Sequence, residues 1–472
     1  MKTKKSPRKV FIRTFGCQMN NADSELVYSM LLSQGYVKAK SYEDADVILF
    51  NTCSVRKHAE DRVWGKVGQL KKGMDPRLRG DDSVRRGNDK RPIIGIIGCM
   101  AKAQGDEIFK RLPHVNFICG PSDIYAIVDL IEQVQARPKK HFAEIGRRQR
   151  LLKMDPRLRG DDIGYREERI KAGINISYGC NNFCSYCIVP YVRGREISRK
   201  QKDIIDEAKA LVDDGVKEIM LLGQNVNSYQ YSVNSNQKNN FIKLLEKINK
   251  IDGLLRIRFM TSHPKDANID LFKAIRDLDK VCEHLHLALQ SGSDRILKLM
   301  NRKYTSADYL KLINQYRKIV KRGSLTTDAI VGFPTETDKD FYQTYTFMQK
   351  IEFDGAFIFK YSTRPHTAAA KMEDDVAMHI KQERNQALLK LQEDVFNNKI
   401  KSLMNTTQQT LAVGEARRAP VSKWLDNGGY YIKGRTAANL QVIYPGNDDM
   451  IGHISDVKIK DIEGKTLIGE RI

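Results

Sequence analysis

The sequence predicts an α/β protein in three parts: an N-terminal parallel sheet, an incomplete β/α barrel, and a small antiparallel C-terminal β-barrel. Three observations carry that prediction. Short apolar runs near the N-terminus each end in a cysteine and lead into a helical pattern. Strand and helix signals then alternate six times between residues 172 and 361. Beyond about Asn405 the texture changes to short alternating runs separated by glycine-rich turns. A length of 472 residues fits three domains at a prior of about 150 residues each, and the 41% of apolar residues is enough to fill their cores.

In the first part, Lys9–Thr14 leads into Cys17, Asp46–Phe50 into Cys53 and Pro92–Ile97 into Cys99. Each run is mostly β-branched or aromatic, as in strands covered on both faces. After Cys17, Asn20 or Asn21 is placed to cap a helix, Asp23 and Glu25 suit its first turn, and Leu26, Met30 and Leu31 form its apolar stripe. In open parallel sheets the carboxyl ends of the strands form the ligand-binding edge. Cys17, Cys53 and Cys99 are thereby placed to converge, and three thiolates can hold a [4Fe–4S] cluster with one iron left open; three unrelated buried thiols are the alternative. Cys119 and Cys282 lack such a setting and are read as structural thiols.

The central part opens with Ala172–Tyr178 and then GCNNFCSYC, which contains Cys180, Cys184 and Cys187. Structural zinc sites usually pair two CxxC units, and no second unit is present. A CxxxCxxC triplet after a strand instead suits three corners of a [4Fe–4S] cluster whose fourth iron chelates S-adenosylmethionine (SAM). Further strands are expected at Val216–Leu222, Leu254–Met260, His284–Gln290, Thr326–Val331 and Ala356–Tyr361. Helices lie between them, among them Asp203–Val212, Phe241–Ile251, Ala307–Val320 and Asp338–Lys350. Six βα units give an incomplete barrel with its active site at the C-terminal strand ends. The period of two places His284, His286, Ala288 and Gln290 on one face. Whether those histidines line the lumen or are satisfied in the core stays open.

The C-terminal runs QTLAVGEA, YYIKGRT, NLQVIY and DVKIKDI suggest a small antiparallel barrel. Arg417, Arg418, Lys433, Arg435, Tyr430 and Tyr431 suit RNA binding by charge and stacking, although a domain that merely packs on its neighbour fits equally well. The nonapeptide MDPRLRGDD occurs twice, at Met74–Asp82 and Met154–Asp162, in unlike surroundings; both copies read as inserted surface loops. The formal net charge of +22 points to a polyanionic partner, or to a basic but inert surface. No apolar run reaches the roughly 20 residues that span a bilayer, and no secretory signal is recognised at the start. A cytoplasmic protein is expected, its cysteines serving as metal ligands or buried thiols rather than disulfides.

These residues resemble the radical SAM methylthiotransferases. FGCQMNNADSE, NTCSVR and GCMA match the N-terminal motifs of that family. GCNNFCSYCIVPYVRGREISR, LLGQNVNSY, RIRFMTSHP, HLHLALQSGSDRILKLM, DAIVGFP and FIFKYSTRP match its radical SAM part, and GRTAANLQVIYPG its TRAM module. The wording of the N-terminal motifs is that of the MiaB branch, which acts on tRNA. Two sister branches act on threonylcarbamoyl-adenosine in tRNA and on an aspartate of a ribosomal protein. The chain departs from the pattern at Thr335, which replaces a glycine after GFP, and at His366, which replaces one after YSTRP.

The resemblance implies a flavodoxin-like domain over 1–145, a linker over 146–170, a radical SAM (β/α)6 barrel over 171–403 and a TRAM domain over 404–472. It implies two [4Fe–4S] clusters. The one on Cys180, Cys184 and Cys187 cleaves SAM, and the radical takes hydrogen from C2 of an isopentenylated adenosine beside the anticodon. The one on Cys17, Cys53 and Cys99 supplies sulfur, which a second SAM methylates. Tyr186, Gly223, Gln224, Ser262 and Gln290 are expected beside SAM. Phe333, Phe357 and Phe359 are expected to wall the isopentenyl tail. The implied partners are tRNA, an electron-donating reductase and a sulfur source, with the enzyme a monomer not bound to membrane. The rival readings are a sister methylthiotransferase acting on threonylcarbamoyl-adenosine tRNA or a ribosomal protein aspartate, and a non-catalytic RNA-binding iron–sulfur protein; an electron carrier needs four closed ligands per cluster.

Overall fold

The computed structural model describes residues 6–54, 57–74, 91–146, 164–231, 240–416 and 429–472. Both nonapeptides fall outside these residues, apart from Met74 at the end of a helix, as do Arg417 and Arg418. The chain divides into two compact units. One comprises Met1–Glu167, Tyr178–Asn181 and Cys187–Ile197; the other comprises Glu168–Ser177, Asn182–Tyr186 and Ser198–Ile472.

The first unit is built on a six-stranded parallel sheet of β1 (Lys9–Phe15), β2 (Val37–Lys38), β3 (Val47–Thr52), β4 (Ile93–Gly98), β5 (Phe117–Cys119) and β6 (Phe142–Glu144). Its order is β2-β1-β3-β4-β5-β6, the flavodoxin-like arrangement extended by one strand. β3 is buried along its whole length, which explains its unbroken apolar sequence up to Asn51. Two cores cover the faces, one including Val27, Leu31, Leu49 and Ile127, the other Phe50, Val63, Ile96 and Ile108. Gly95 is required by packing: a Cβ there would stand 2.4 Å from the Phe117 ring. The strands β2, β5 and β6 went unrecognised in the sequence because they are two or three residues long, too short to show periodicity. Cys119 is therefore a strand residue, paired with Ile97. It is fully buried and its thiol points to the Asp123 carbonyl at 3.2 Å.

Among the described residues, the first part of the second unit has six parallel strands in sequence order. Lys171–Asn175, Glu218–Leu222 and Arg256–Phe259 form one parallel group, and His284–His286, Ser324–Val331 and Gly355–Lys360 another. Parallel bridges at Ile257–Val281 and Ser262–Leu287 join the two groups. The result is the expected incomplete barrel. The strand expected over His284–Gln290 stops at His286, leaving only isolated bridges beyond. His284 Nε2 and His286 Nδ1 both lie 3.0 Å from Thr326 Oγ1, and His286 Nε2 lies 3.3 Å from Asp328. Both rings are buried, and burial pushes the His284 pKa down to about 3, so that ring is neutral. Phe333 is fully buried against Ile296, Met300 and Tyr361, so it belongs to the core rather than to a substrate wall. Phe357 is 45% exposed.

The C-terminal strands Thr407–Glu415, Tyr431–Thr436, Gln441–Pro445, Ile454–Glu463 and Thr466–Arg471 close into a barrel. Closure leaves no free edge. It is not wholly antiparallel, because Gln441–Ile443 runs parallel to Thr466–Ile468. Tyr431 is 5% exposed, and Arg435 donates to the Asn439 carbonyl at 2.8 Å; both are committed to the barrel itself. Tyr430 is partly exposed and bonds Asp448.

Two buried arginines of the RIRF strand hold this barrel. Arg256 donates to the carbonyls of Arg435 (2.5 Å) and Gln409 (3.0 Å). Arg258 donates to those of Thr436 (2.6 Å) and Ala437 (2.7 Å), and pairs with Glu218 at 2.9 Å. Removing one partner of a buried ion pair strands the other in a poorly solvated place. Arg258→Met should lower unfolding free energy by about 3–5 kcal/mol, read from urea denaturation of the full chain; a loss under about 1 kcal/mol would show that the pair and its carbonyls bear little load.

Thr335 and His366, the two departures from the family pattern, adopt φ of 68° and 66°. That region costs an L-residue roughly 1–2 kcal/mol, which accounts for the glycine usual at both positions. Thr335 is held by its backbone: its N–H donates to Asp375 at 2.6 Å and its carbonyl accepts from Arg295 at 2.5 Å. Thr335→Gly keeps both backbone bonds and loses only the exposed 3.2 Å bond from Arg295 to Thr335 Oγ1. It should raise stability by up to about 1 kcal/mol after the added chain entropy of glycine, again measured by denaturant titration.

Candidate functional site

Strand alignment builds the first cysteine site. Phe15 pairs with Thr52, and Thr52 with Gly98. Cys17, Cys53 and Cys99 follow these aligned positions by one or two residues, at the carboxyl ends of three adjacent strands. Cys17 caps the helix α1 (Gln18–Ser33), and its thiol lies 3.3 Å from Asn20 Oδ1. Cys53 donates its N–H to the Phe15 carbonyl at 3.0 Å. Cys99 opens the helix Cys99–Gln104 after Gly98, whose φ is 91°. A Cβ at Gly98 would stand 2.5 Å from Asn51 Oδ1, so the glycine admits the asparagine beneath.

That asparagine belongs to a buried lattice: Asn20 Nδ2 donates to Asn51 Oδ1 at 2.8 Å, while Asn51 Nδ2 donates to the Asn20 carbonyl at 2.8 Å and to Ser24 Oγ at 2.9 Å. A hydrogen bond with Cys53, aided by the charge of Arg193, lowers the Cys17 pKa to about 6 against the desolvation that opposes it. Burial pushes the Cys99 thiol up, and Arg193 pulls it back. The guanidinium of Arg193 donates to Cys99 Sγ at 3.2 Å and to Asp23 at 3.0 Å. Neither Asn51 nor Arg193 figured among the residues expected from sequence; Asn51 was legible as a polar residue closing an apolar strand.

At the second triplet, Cys180 follows Gly179, where a Cβ would stand 2.3 Å from the Arg195 carbonyl. Its N–H bonds the Gly194 carbonyl at 3.1 Å. In the other unit, Arg302 donates to Cys184 Sγ at 3.3 Å and to the Ala288 carbonyl at 3.0 Å. Ser185 is pinned to the carbonyls of Met300 and Leu299. Tyr186 packs against Ile296, Met300 and Phe333. No disulfide joins any of the eight cysteines. Among the described residues no group of three or more His, Cys, Asp or Glu side chains is gathered so as to hold a metal ion.

The barrel strand ends carry oxygens suited to a polar ligand. Asn175 Oδ1, Ser177 Oγ and Ser262 Oγ are buried and lack a hydrogen-bond partner within the protein; buried groups of this kind call for a ligand or another explanation. Gly223 sits against this edge, since a Cβ there would stand 2.7 Å from Ser177 Oγ. Gln224 follows, half-buried. Gln290, 7% exposed, adopts φ of 70°, and Thr261 adopts 65°. Such strain gathers where geometry is held for function. Asn175 and Ser177 were missed in the sequence, although the polar N-x-S closing the first barrel strand was a visible signal. The thiolate-prone Cys17, the guanidinium donors on Cys99 and Cys184, and these oxygens suit iron–sulfur clusters and a zwitterionic cofactor.

The model of the radical SAM superfamily matches residues 174–348, and that of "Uncharacterized protein family UPF0004" matches 9–120. A tRNA-2-methylthio-N(6)-dimethylallyladenosine synthase from Clostridium beijerinckii is 42% identical over 464 residues, covering 98% of this chain and 95% of that protein. One of the same name from Protochlamydia amoebophila is 39% identical, covering 99% and 97%. Among solved structures, a radical SAM methyltransferase from Kitasatospora setae superposes with a TM-score of 0.54 at 12% identity, over 77% of each chain, a likeness of fold.

The cysteines can be ranked by experiment. In the metal-free full chain, site-resolved iodoacetamide labelling should show Cys17 reacting with a midpoint near pH 6, where its thiolate forms, while Cys99 and Cys119 need higher pH. Cys53→Ala should move the Cys17 midpoint upward. A Cys17 midpoint near 9 in the unaltered chain would remove the assigned role of Cys53.

Proposed function

This chain belongs to the family of tRNA-2-methylthio-N(6)-dimethylallyladenosine synthases, and from that premise we propose how its residues divide the work. It is a radical SAM transferase of tRNA that converts N6-isopentenyladenosine to its 2-methylthio form, with SAM and [4Fe–4S] clusters as cofactors. When bound, those groups supply the one-electron chemistry, the sulfur and the methyl group.

In our reading Cys180, Cys184 and Cys187 hold the SAM-binding cluster, and Cys17, Cys53 and Cys99 hold the auxiliary one. The observation that carries the auxiliary site is the alignment of Phe15, Thr52 and Gly98. Ser262 and Gln290 orient SAM from the strand ends, with Gly223 leaving room and Tyr186 backing the loop. Ser177 and Asn175, whose side-chain oxygens have no partner in the protein, join them. Arg302 holds Cys184 in place. Phe357, exposed beside His286, offers apolar surface to the isopentenyl tail, and Phe359 is assigned the same role. A stacked adenine cannot reach a barrel mouth, whereas an anticodon-loop base can be splayed into it. The basic chain docks tRNA through phosphates, contacts that position without specifying. A reductase delivers the electrons and a separate donor restores the sulfur. Among the described residues no helix is long and apolar enough to cross a membrane.

The test is a side-by-side assay of reconstituted enzyme on isopentenyl-adenosine tRNA and threonylcarbamoyl-adenosine tRNA. The first should be methylthiolated and the second hardly at all, because its carboxylate and hydroxyl find poor pairing beside an apolar wall. Cys17→Ala should still yield 5′-deoxyadenosine from SAM but no methylthio product. Preference for the threonylcarbamoyl substrate would move the chain to the sister branch; loss of SAM cleavage in Cys17→Ala with the other cluster intact would overturn the division of roles.

A further inference from the structure

Arg193 is the buried cation of the first cysteine site. It follows the short helix Val189–Val192, which begins with a proline turn. Ile188 and Val192 pack on Cys99 and Ala103, which fixes the backbone that carries it. Its side chain is 4% exposed. Its Nε donates to Cys99 Sγ at 3.2 Å and its Nη2 to Asp23 Oδ2 at 3.0 Å. The charged neighbours acting on Cys99 are Arg193, Cys17 and Asp23. The Asp23 charge offsets that of the guanidinium, so the charge left at this buried site is that of the ligating thiolates and the cluster core together. A fork shared between a carboxylate and a sulfur has its orientation fixed by both partners.

We propose that Arg193 is a positioning residue that sets the reduction potential of the auxiliary cluster by donating a hydrogen bond to the sulfur of Cys99, with Asp23 tempering its charge. The inference rests on the reading that Cys17, Cys53 and Cys99 hold that cluster. Hydrogen bonds to cluster sulfurs and the net charge around them set such potentials. A donated N–H and a positive charge favour the form carrying one more electron, so they raise the potential. Arg193 also lies six residues after Cys187 in the sequence, so one short stretch of chain supplies a ligand of one proposed cluster and the hydrogen-bond donor to a ligand sulfur of the other.

The experiment uses the full chain with Cys180, Cys184 and Cys187 changed to Ala, reconstituted anaerobically so that only the auxiliary site holds iron. Iron is counted, and the one-electron midpoint is measured by spectroscopic titration with dithionite as the electron source. The parent should hold about four irons per chain. Arg193→Gln should shift the midpoint to lower potential, Arg193→Lys by less, and Asp23→Asn to higher potential. A parent without iron refutes the cluster assignment, and this inference with it. A parent with iron whose midpoint is unchanged in Arg193→Gln refutes the role of Arg193 alone. If Arg193→Gln fails to load iron, Asp23→Asn decides: a raised midpoint supports the inference, and an unchanged one overturns it.

Discussion

The first cysteine site depends on a single constraint, the register of three adjacent parallel strands. Because Phe15, Thr52 and Gly98 are hydrogen-bonded neighbours, cysteines separated by tens of residues emerge side by side. A slip of one residue in any pair would turn its side chains to the opposite face. The Asn20–Asn51 lattice guards against that slip, since its bonds at 2.8 Å tie α1 to the end of β3 at one position only. Gly98 takes part by having no side chain where the Asn51 amide must lie. The placement of the three cysteines thus follows from sheet geometry, and polar bonds are added to the apolar core that joins helix and sheet. A polar lattice is a demanding choice in a core, because a half-satisfied one is worse than none; here the donors and acceptors of both amides are engaged.

Much of this was legible in the chain. Runs such as DVILF and PIIGII announced buried parallel strands, and the recurrence of a cysteine just past each run announced a shared edge. The six barrel strands were visible because each alternates with a helical period long enough to read. What stayed hidden has a common cause. The short strands β2, β5 and β6 are defined by their neighbours' hydrogen bonds and not by their own pattern. Arg193 and Arg302 were hidden because their partners are distant in sequence: 94 residues separate Arg193 from Cys99, and 118 separate Arg302 from Cys184. Tyr431 and Arg435 were misleading in the other direction. Their residue types suit RNA, yet one fills the barrel core and the other satisfies its own turn. Composition gives the capacity of a side chain to bind; only the fold shows whether that capacity has already been spent.

Strain follows a similar division. Thr261 and Gln290, both in left-handed backbone, lie just beyond the strands Arg256–Phe259 and His284–His286. Thr335 and His366 take up the same backbone region at places where the family pattern has glycine. The first pair carries strain where the candidate cofactor residues lie; in the second pair, Thr335 carries it as a departure that the bonds from Arg295 and to Asp375 hold in place.

The grip of Arg256 and Arg258 on the C-terminal barrel falls on the main-chain carbonyls of Gln409, Arg435, Thr436 and Ala437. A carbonyl is supplied by any amino acid, so this attachment is blind to the side chains of the segments it holds. The outer surface of the barrel is therefore free to drift in charge or aromatic content without loosening its hold on the rest of the unit. Changes at that surface and the requirement for anchorage act on different atoms of the same residues.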